Sequence, residues 1–183
     1  MNVSELRNLF WERTAEFFTG YEVVFANQSR AAKPSVPLVT LTFHNQTRPH
    51  TPIYLIKEGE PIGHYYSKII VTVDLFTNGK PFTDESGMVV YENTAMDELL
   101  SFCDFLNGHV TLRWCDKNDI TILIEQDAQD LTGVVNDNNY EYRARQDISL
   151  YFLHVADPGV DQSGYFTWAN LSYDVLEPEK GEP

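Results

Sequence analysis

The chain has 183 residues, 43% of them hydrophobic and 13% aromatic, which is the composition of an ordinary globular domain. A domain of this length buries about 70% of the surface of its unfolded chain, so its core needs no disulfide or metal. Its 13 Lys and Arg are outnumbered by 27 Asp and Glu, giving a net charge of -14. Such a surface repels phosphate, which argues against DNA or RNA binding as the main activity.

The sequence also argues against a membrane span, an export signal and a disulfide. No stretch approaches the roughly 18 apolar residues of a membrane helix, and Glu5 and Arg7 interrupt the N-terminal apolar pattern. Cys103 and Cys115 lie in apolar stretches and form no CxxC pair. We expect a soluble, cytoplasmically made protein with reduced, buried thiols.

The first half of the chain predicts one helix and three strands. The helix begins at Asn2, which can form a capping box with Glu5, and ends at Gly20. Strands are predicted at residues 21–26, 37–44 and 65–76, the last central in the sheet because both of its faces are apolar. Residues 45–63 predict a long excursion or an extended hairpin loop, and residues 80–93 predict irregular structure.

The second half predicts a helix and further strands. The helix covers residues 94–106, with Asn93 or Thr94 as its cap. Residues 109–115 fit a strand or a short helical turn, either of which would place Val110, Leu112 and Trp114 inward, and we favour the strand. Strands follow at 119–125, 140–155 and 165–175, with a loop at 130–139 and an acidic tail at 177–183. The sequence thus predicts an α+β single domain over residues 1–176: a mostly antiparallel sheet with two helices packed on one face.

The sequence contains no recognisable catalytic, phosphate-binding or metal-binding motif. The histidines lack metal-ligand spacing, and surface or hydrogen-bonded roles are favoured over a zinc site formed by tertiary proximity; they are His44, His50, His64, His109 and His154. Neither a nucleophile elbow nor a glycine-rich phosphate loop occurs. We expect no catalytic, cofactor or metal site.

Two acidic stretches could suggest ion binding. Asp116, Asn118 and Asp119 lack the twelve-residue order of a calcium loop, so a solvated turn is favoured. The run from Glu125 through Asp130 to residues 136–139 is interpreted as a solubilising loop. Ion binding stays the less favoured alternative for both stretches.

Four segments, taken in order, identify a family resemblance. After the N-terminal helix they are Lys33-Pro34-Ser35-Val36-Pro37-Leu38-Val39-Thr40-Leu41, Ile69-Ile70-Val71-Thr72-Val73-Asp74-Leu75-Phe76, Ala128-Gln129-Asp130-Leu131-Thr132 and Tyr142-Arg143-Ala144-Arg145-Gln146-Asp147-Ile148-Ser149-Leu150-Tyr151-Phe152. In this order and spacing they resemble the phage neck terminator family, the neck or tail terminators of long-tailed bacteriophages. Residues 46–63, 77–93 and the acidic tail show no match.

The resemblance implies a non-catalytic virion protein of the neck, assembled in the bacterial host cytoplasm. It implies a homo-oligomeric ring, usually a hexamer, that caps the tail and joins it to the head. The implied partners are the tail tube protein, the tail sheath and the head–tail connector or adaptor, with DNA as passing cargo. Six spheres of this size leave a central hole of about 40 Å, and an acidic wall lets DNA slide.

Within this interpretation, the predicted contact sites are the segments from Arg48 to Tyr66 and from Lys80 to Tyr91, because loops on a rigid sheet often carry recognition residues. The residues predicted for subunit or partner contacts are Ile53, Tyr54, Ile56, Tyr65, Tyr66, Phe82 and Tyr91. Two alternatives stay open. One is another neck ring protein, such as a head-completion adaptor or sheath-end protein, and the other is a small ligand-binding domain or enzyme.

Overall fold

A computed structural model describes residues 1–26, 37–57, 60–136 and 139–155. The helices are α1 (Val3–Phe17), α2 (Ala95–Asn107) and α3 (His109–Lys117). The strands are β1 (Glu22–Phe25), β2 (Leu38–Phe43), β3 (Ile53–Lys57), β4 (Glu60–Thr77), β5 (Lys80–Thr83), β6 (Val89–Glu92), β7 (Ile120–Leu123), β8 (Gln129–Asp130), β9 (Gly133–Asn136) and β10 (Asn139–Val155).

The main sheet is built around two long strands, β4 and β10, which pair antiparallel from Tyr142–Thr77 to Val155–His64. The strand order is β1-β2-β4-β10-β7, with β3 also on β4 and with β8 and β9 also on β10. The β1–β2 pair is parallel and the other pairs are antiparallel. The strands β5 and β6 form a separate hairpin. The prediction of a mostly antiparallel sheet with a central strand at residues 65–76 is confirmed.

The core lies on one face of this sheet. Alternate residues of β4, such as Val71 and Val73, are fully buried there, as the period of two in a strand requires. Phe10 of α1 and Phe102 of α2 belong to the same buried cluster. Burial of each such side chain contributes about 2 kcal/mol. The α+β class and the packing of the two predicted helices on one face are confirmed.

Both predicted helix starts are confirmed. Asn2 Oδ1 accepts from the Glu5 N–H at 2.9 Å, and Glu5 Oε2 accepts from the Asn2 N–H at 2.8 Å, which completes the capping box. Thr94 is the N-cap of α2, and Asn93 Oδ1 accepts from the Ala95 N–H at 3.1 Å.

The buried cation Arg13 connects α1 to the junction of α2 and α3. Its side chain is only 3% exposed. Its guanidinium lies 4.2 Å from the centre of the Phe105 ring, and Nη2 donates to Thr111 Oγ1 at 2.6 Å. Glu16 neutralises the charge through a 2.5 Å ion pair.

The prediction of a strand at residues 109–115 is wrong, because α3 occupies them and brings the described helices to three. Thr111 and Cys115 are buried four residues apart, on the side of the helix that faces the protein. Val110 and Leu112 are exposed, so their predicted inward placement is also wrong. The alternation of apolar residues predicted the strand, whereas burial follows the helical period.

Two further segments are more regular than expected. Residues 80–93, predicted to be irregular, contain the β5–β6 hairpin, and the predicted loop at 130–139 contains β9. The extended hairpin at residues 45–63 is confirmed in β3 and the start of β4. The predicted strand at 165–175, the tail at 177–183 and the predicted boundary at residue 176 lie outside the described residues. None of the described helices is long and apolar enough to cross a bilayer.

Candidate assembly surfaces

The hairpin of β3 and the start of β4, residues 53–64, protrudes from one end of the sheet and is called the arm. Ile53 pairs with His64 at its base, which is also the last β4 residue that pairs with β10. The arm exposes apolar side chains on both faces, since neighbouring β residues point to opposite sides. These side chains are Ile53, Tyr54, Leu55 and Ile56, the last 79% exposed.

The two tyrosines that follow the arm differ in exposure. The Arg48 guanidinium lies 4.5 Å from the centre of the half-buried Tyr65 ring. Tyr66 is exposed and stacks on Tyr151 at a centroid distance of 5.8 Å. Both tyrosines lie on the part of β4 that pairs with β10.

The β5–β6 hairpin lies at the other end of β4 and is also apolar and exposed. It includes the predicted residues Phe82 and Tyr91, both about half exposed, and also Met88, Val89 and Val90, which the sequence analysis missed. β4 runs on from the base of the arm at His64 to Thr77, so the arm and the hairpin are on the order of 43 Å apart. The predicted contact residues thus form two separate surfaces.

Local hydrogen bonds shape this hairpin. Asp84 Oδ1 accepts from the Ser86 hydroxyl at 2.6 Å and from the Met88 N–H at 2.9 Å. These bonds, that of Ser86 first, lower the pKa of Asp84. At the base, the Tyr142 hydroxyl donates to the Tyr91 carbonyl at 2.9 Å. The hairpin is therefore attached to β10.

A third set of exposed apolar residues lies on the helices. Leu100 of α2 is 47% exposed, and Val110 and Leu112 of α3 are 55% and 59% exposed. We call these three residues the helix surface. The sequence analysis did not predict it, because the expected strand placed two of its residues inside.

The sheet face opposite the core holds a buried carboxylate between two arginines. Asp74 Oδ1 accepts from Arg143 Nη2 and from Arg145 Nε, both at 2.8 Å. The hydrogen bond with Asp74 raises the pKa of Arg145. Asp74 is 5% exposed, so its charge is balanced where water gives little screening. The cluster joins β4 to β10 and stabilises their register.

Beside it, a chain of hydrogen bonds runs from His44, the residue after β2, across β4 to β10. His44 Nε2 lies 2.8 Å from Thr72 Oγ1, and the Thr72 hydroxyl donates to Asp147 Oδ1 at 2.5 Å. Because the hydroxyl proton points at the carboxylate, Thr72 is not arranged as a nucleophile activated by the imidazole. Lys68 and Glu125 form a more exposed ion pair at 2.9 Å on the same face.

The cysteines have the predicted character of buried free thiols. Burial raises the pKa of Cys103 to about 11 and also raises that of Cys115. A thiol with a raised pKa is a poor nucleophile at neutral pH. Among the described residues, no group of three or more His, Cys, Asp or Glu could hold a metal ion.

No curated protein matches the chain. The sequence model of a family described as phage neck terminator protein matches residues 4–172, which is nearly the whole chain.

Proposed function

The chain belongs to the phage neck terminator family, and on this premise we propose that it closes the tail and joins it to the head as a homo-oligomeric ring, a hexamer, through which the DNA passes. The family is one of structural proteins of the phage neck. Beyond this family membership, the proposal covers the ring, the proteins it contacts and the passage of DNA. Its partners are other copies of the chain, the tail tube and the head–tail connector.

 The observation that supports this proposal is the number of exposed apolar surfaces on so acidic a chain. A ring of identical copies with head-to-tail contacts uses two different surfaces on each copy. Attachment to a tail or a head requires a third surface. The arm, the β5–β6 hairpin and the helix surface provide three, each with apolar residues that are 39% to 79% exposed.

The charge supports the passage of DNA. Each copy has a net charge of -14, so a ring of six copies has a net charge of about -84. Phosphates are repelled by such a wall, so DNA in the central hole of about 40 Å would not be held by counterion release. The same charge makes copies repel one another, and apolar contacts must offset that repulsion.

The proposal is tested by assembly in solution and on tails. Light scattering at low and high salt measures the mass of the purified chain, and negative-stain images show whether rings form alone or on isolated tail tubes. We expect rings in at least one condition, favoured by high salt because salt screens the repulsion. A chain that stays monomeric at all salt concentrations and ignores tube ends would overturn the ring.

A chain in which residues 53–61 are replaced by a short glycine-containing turn tests the joining role. Its unfolding transition reports whether the rest of the sheet remains intact. We expect a folded protein that no longer joins tails to heads. Undiminished joining by this variant would remove the arm from the proposed contacts.

A further inference from the structure

Helix α3 has a basic exposed face. Its buried residues are Thr111 and Cys115, and Arg113 is two residues from each of them, about 200° round the helix, so it points away from the protein. Lys117 lies one turn further along the same side and is also exposed. Against the single acid Asp116, these two cations give α3 a net positive charge in a chain with a net charge of -14.

The two cations of α3 differ from most other cations of the structure. Those that bind a carboxylate or lie on an aromatic ring are Arg7, Arg13, Arg48, Lys68, Arg143 and Arg145. Within the described ranges, the side chains of Arg113 and Lys117 make no ion pair, hydrogen bond or ring contact. The dipole of α3 favours a cation at position 117, whereas no described contact uses Arg113. A basic face flanked by the exposed Val110 and Leu112 is therefore available to another molecule.

The β5–β6 hairpin has the opposite charge. Phe82 pairs with Val90, and the Asp84 N–H donates to the Met88 carbonyl at 2.9 Å, so these four side chains lie on one face of the hairpin. Three of them are exposed large apolar side chains, and Asp84 adds a carboxylate. Glu85 follows in the turn and is exposed. The hairpin as a whole has three acids and one lysine, so it is an apolar surface with a negative charge.

The two surfaces lie apart in one copy of the chain. The hairpin leads into the start of α2, and α3 follows the end of α2. α2 has 13 residues, which corresponds to a length of about 20 Å. Each copy therefore presents a negative apolar surface and a positive apolar surface at different places.

We propose that the β5–β6 hairpin of one copy docks on α3 of the next copy, and that this contact closes the ring. The carboxylates of the hairpin turn face Arg113 and Lys117, and the apolar side chains beside the turn pack against Val110 and Leu112. The inference rests on the ring of the proposed function and identifies the two surfaces that build it.

Charge complementarity identifies a second copy as the occupant. A contact between two unlike surfaces of the same chain is head-to-tail, the type that a closed ring repeats at every subunit. Two α3 helices, or two hairpins, facing each other would instead bring like charges together, which weakens association. The local attraction also counters the repulsion between copies that each have a net charge of -14.

Charge reversal tests whether these two surfaces bind each other. The variants are Glu85→Arg and Arg113→Glu, both at exposed side chains without a described partner, and we expect the unfolding midpoint of the wild type for each. Light scattering and negative-stain images, in a condition in which wild type forms rings, measure the concentration at which half of the protein is assembled. We expect each variant alone to need about tenfold more protein or beyond, because every contact then joins like charges.

A mixture of the two variants restores opposite charges at every contact. The basic hairpin of E85R meets the acidic α3 of R113E, and the acidic hairpin of R113E meets the basic α3 of E85R, so six copies can alternate in one ring. We expect the equimolar mixture and the double variant E85R/R113E to assemble within about threefold of wild type. Glu12→Arg is the matched control, because it changes the net charge as E85R does at an exposed position of α1, and it should also stay within about threefold.

Three outcomes would overturn the proposal. Wild-type assembly of both single variants would show that neither surface lies between copies. Losses in the single variants without recovery in the mixture and the double variant would show that the hairpin and α3 do not contact each other. Equal losses in E85R and E12R would show that net charge, and not this contact, controls assembly. Wild-type protein that forms no ring in any condition would instead overturn the proposed function.

Site-specific cross-linking gives a second readout that leaves all charges in place. Met88→Cys and Val110→Cys place one thiol on the hairpin and one on α3. The native Cys103 and Cys115 are buried and have raised pKa values, so they react slowly. With a flexible bis-maleimide, we expect linked dimers when M88C and V110C are mixed and none from either variant alone. Rings that form in the mixture without such links would overturn the contact.

Discussion

Trp11 on α1 donates its indole N–H to the main-chain carbonyl of Val23 at 2.8 Å, across an edge of the sheet. The helix that contributes Phe10 to the core thereby also protects β1 from pairing with another strand. One amphipathic segment thus contributes both to stability and to the control of association.

Replacing Trp11 by Phe should leave the Val23 carbonyl available to other strands. We expect the free energy of unfolding to fall by about 1 kcal/mol, because one hydrogen bond is lost. We also expect light scattering to detect species larger than the wild-type assembly as concentration rises. An unchanged size distribution would show that this bond does not limit association.

Removing the charge of Asp74 should destabilise the fold. In Asp74→Asn, Arg143 and Arg145 lose their shared anion at a buried position, and we expect a loss of about 2–4 kcal/mol in chemical denaturation. Glu125→Gln, which breaks the exposed pair with Lys68, is the matched control and should leave stability close to wild type. Equal effects of the two substitutions would contradict the importance of burial.

Two glycines with positive φ allow the stability cost of backbone strain to be measured separately from that of steric overlap. A Cβ on Gly79 (φ +73°) would lie 2.2 Å from the Glu92 carbonyl oxygen, whereas a Cβ on Gly87 (φ +85°) would meet nothing within 4 Å. We expect Gly87→Ala to cost about 1 kcal/mol, and Gly79→Ala to cost more and to loosen the β5–β6 hairpin. Denaturation measures the loss of stability and amide exchange measures the loosening of the hairpin. Equal losses of stability in the two variants would show that the base of the hairpin shifts to accommodate the added methyl group.

The hydrogen bond between Tyr21 and Glu98 predicts that the free energy of unfolding depends on pH in the alkaline range. Burial, followed by Glu98, raises the pKa of Tyr21 from 10.0 to about 12. The stabilisation this shift represents is fully present below pH 10 and is lost as the pH rises through 12. The difference in unfolding free energy between wild type and Tyr21→Phe should therefore be constant below pH 10 and change between pH 10 and 12. A constant difference throughout would contradict the raised pKa.

The sequence predicted the elements whose signals are local. The capping box of Asn2 and Glu5 and the alternation around Val71 and Val73 correctly placed α1 and the central strand, because these patterns follow directly from backbone geometry. The segment at 109–115 was misassigned because Val110, Leu112 and Trp114 alternate like a strand, although helix formation buries Thr111 and Cys115 instead. Local patterns of that length do not separate the two possibilities.

By itself, the sequence determined the α+β class, the reduced and buried cysteines, and the family to which the chain is similar. It also pointed to Ile53, Tyr54, Ile56, Phe82 and Tyr91 as contact residues, because they lie in segments predicted to be irregular beside a rigid sheet. The structure leaves all five exposed. Only the tertiary structure decided which strand edges are blocked. That property depends on Trp11 meeting Val23 and on α3 packing beside β7, contacts between segments that no local pattern in the sequence relates.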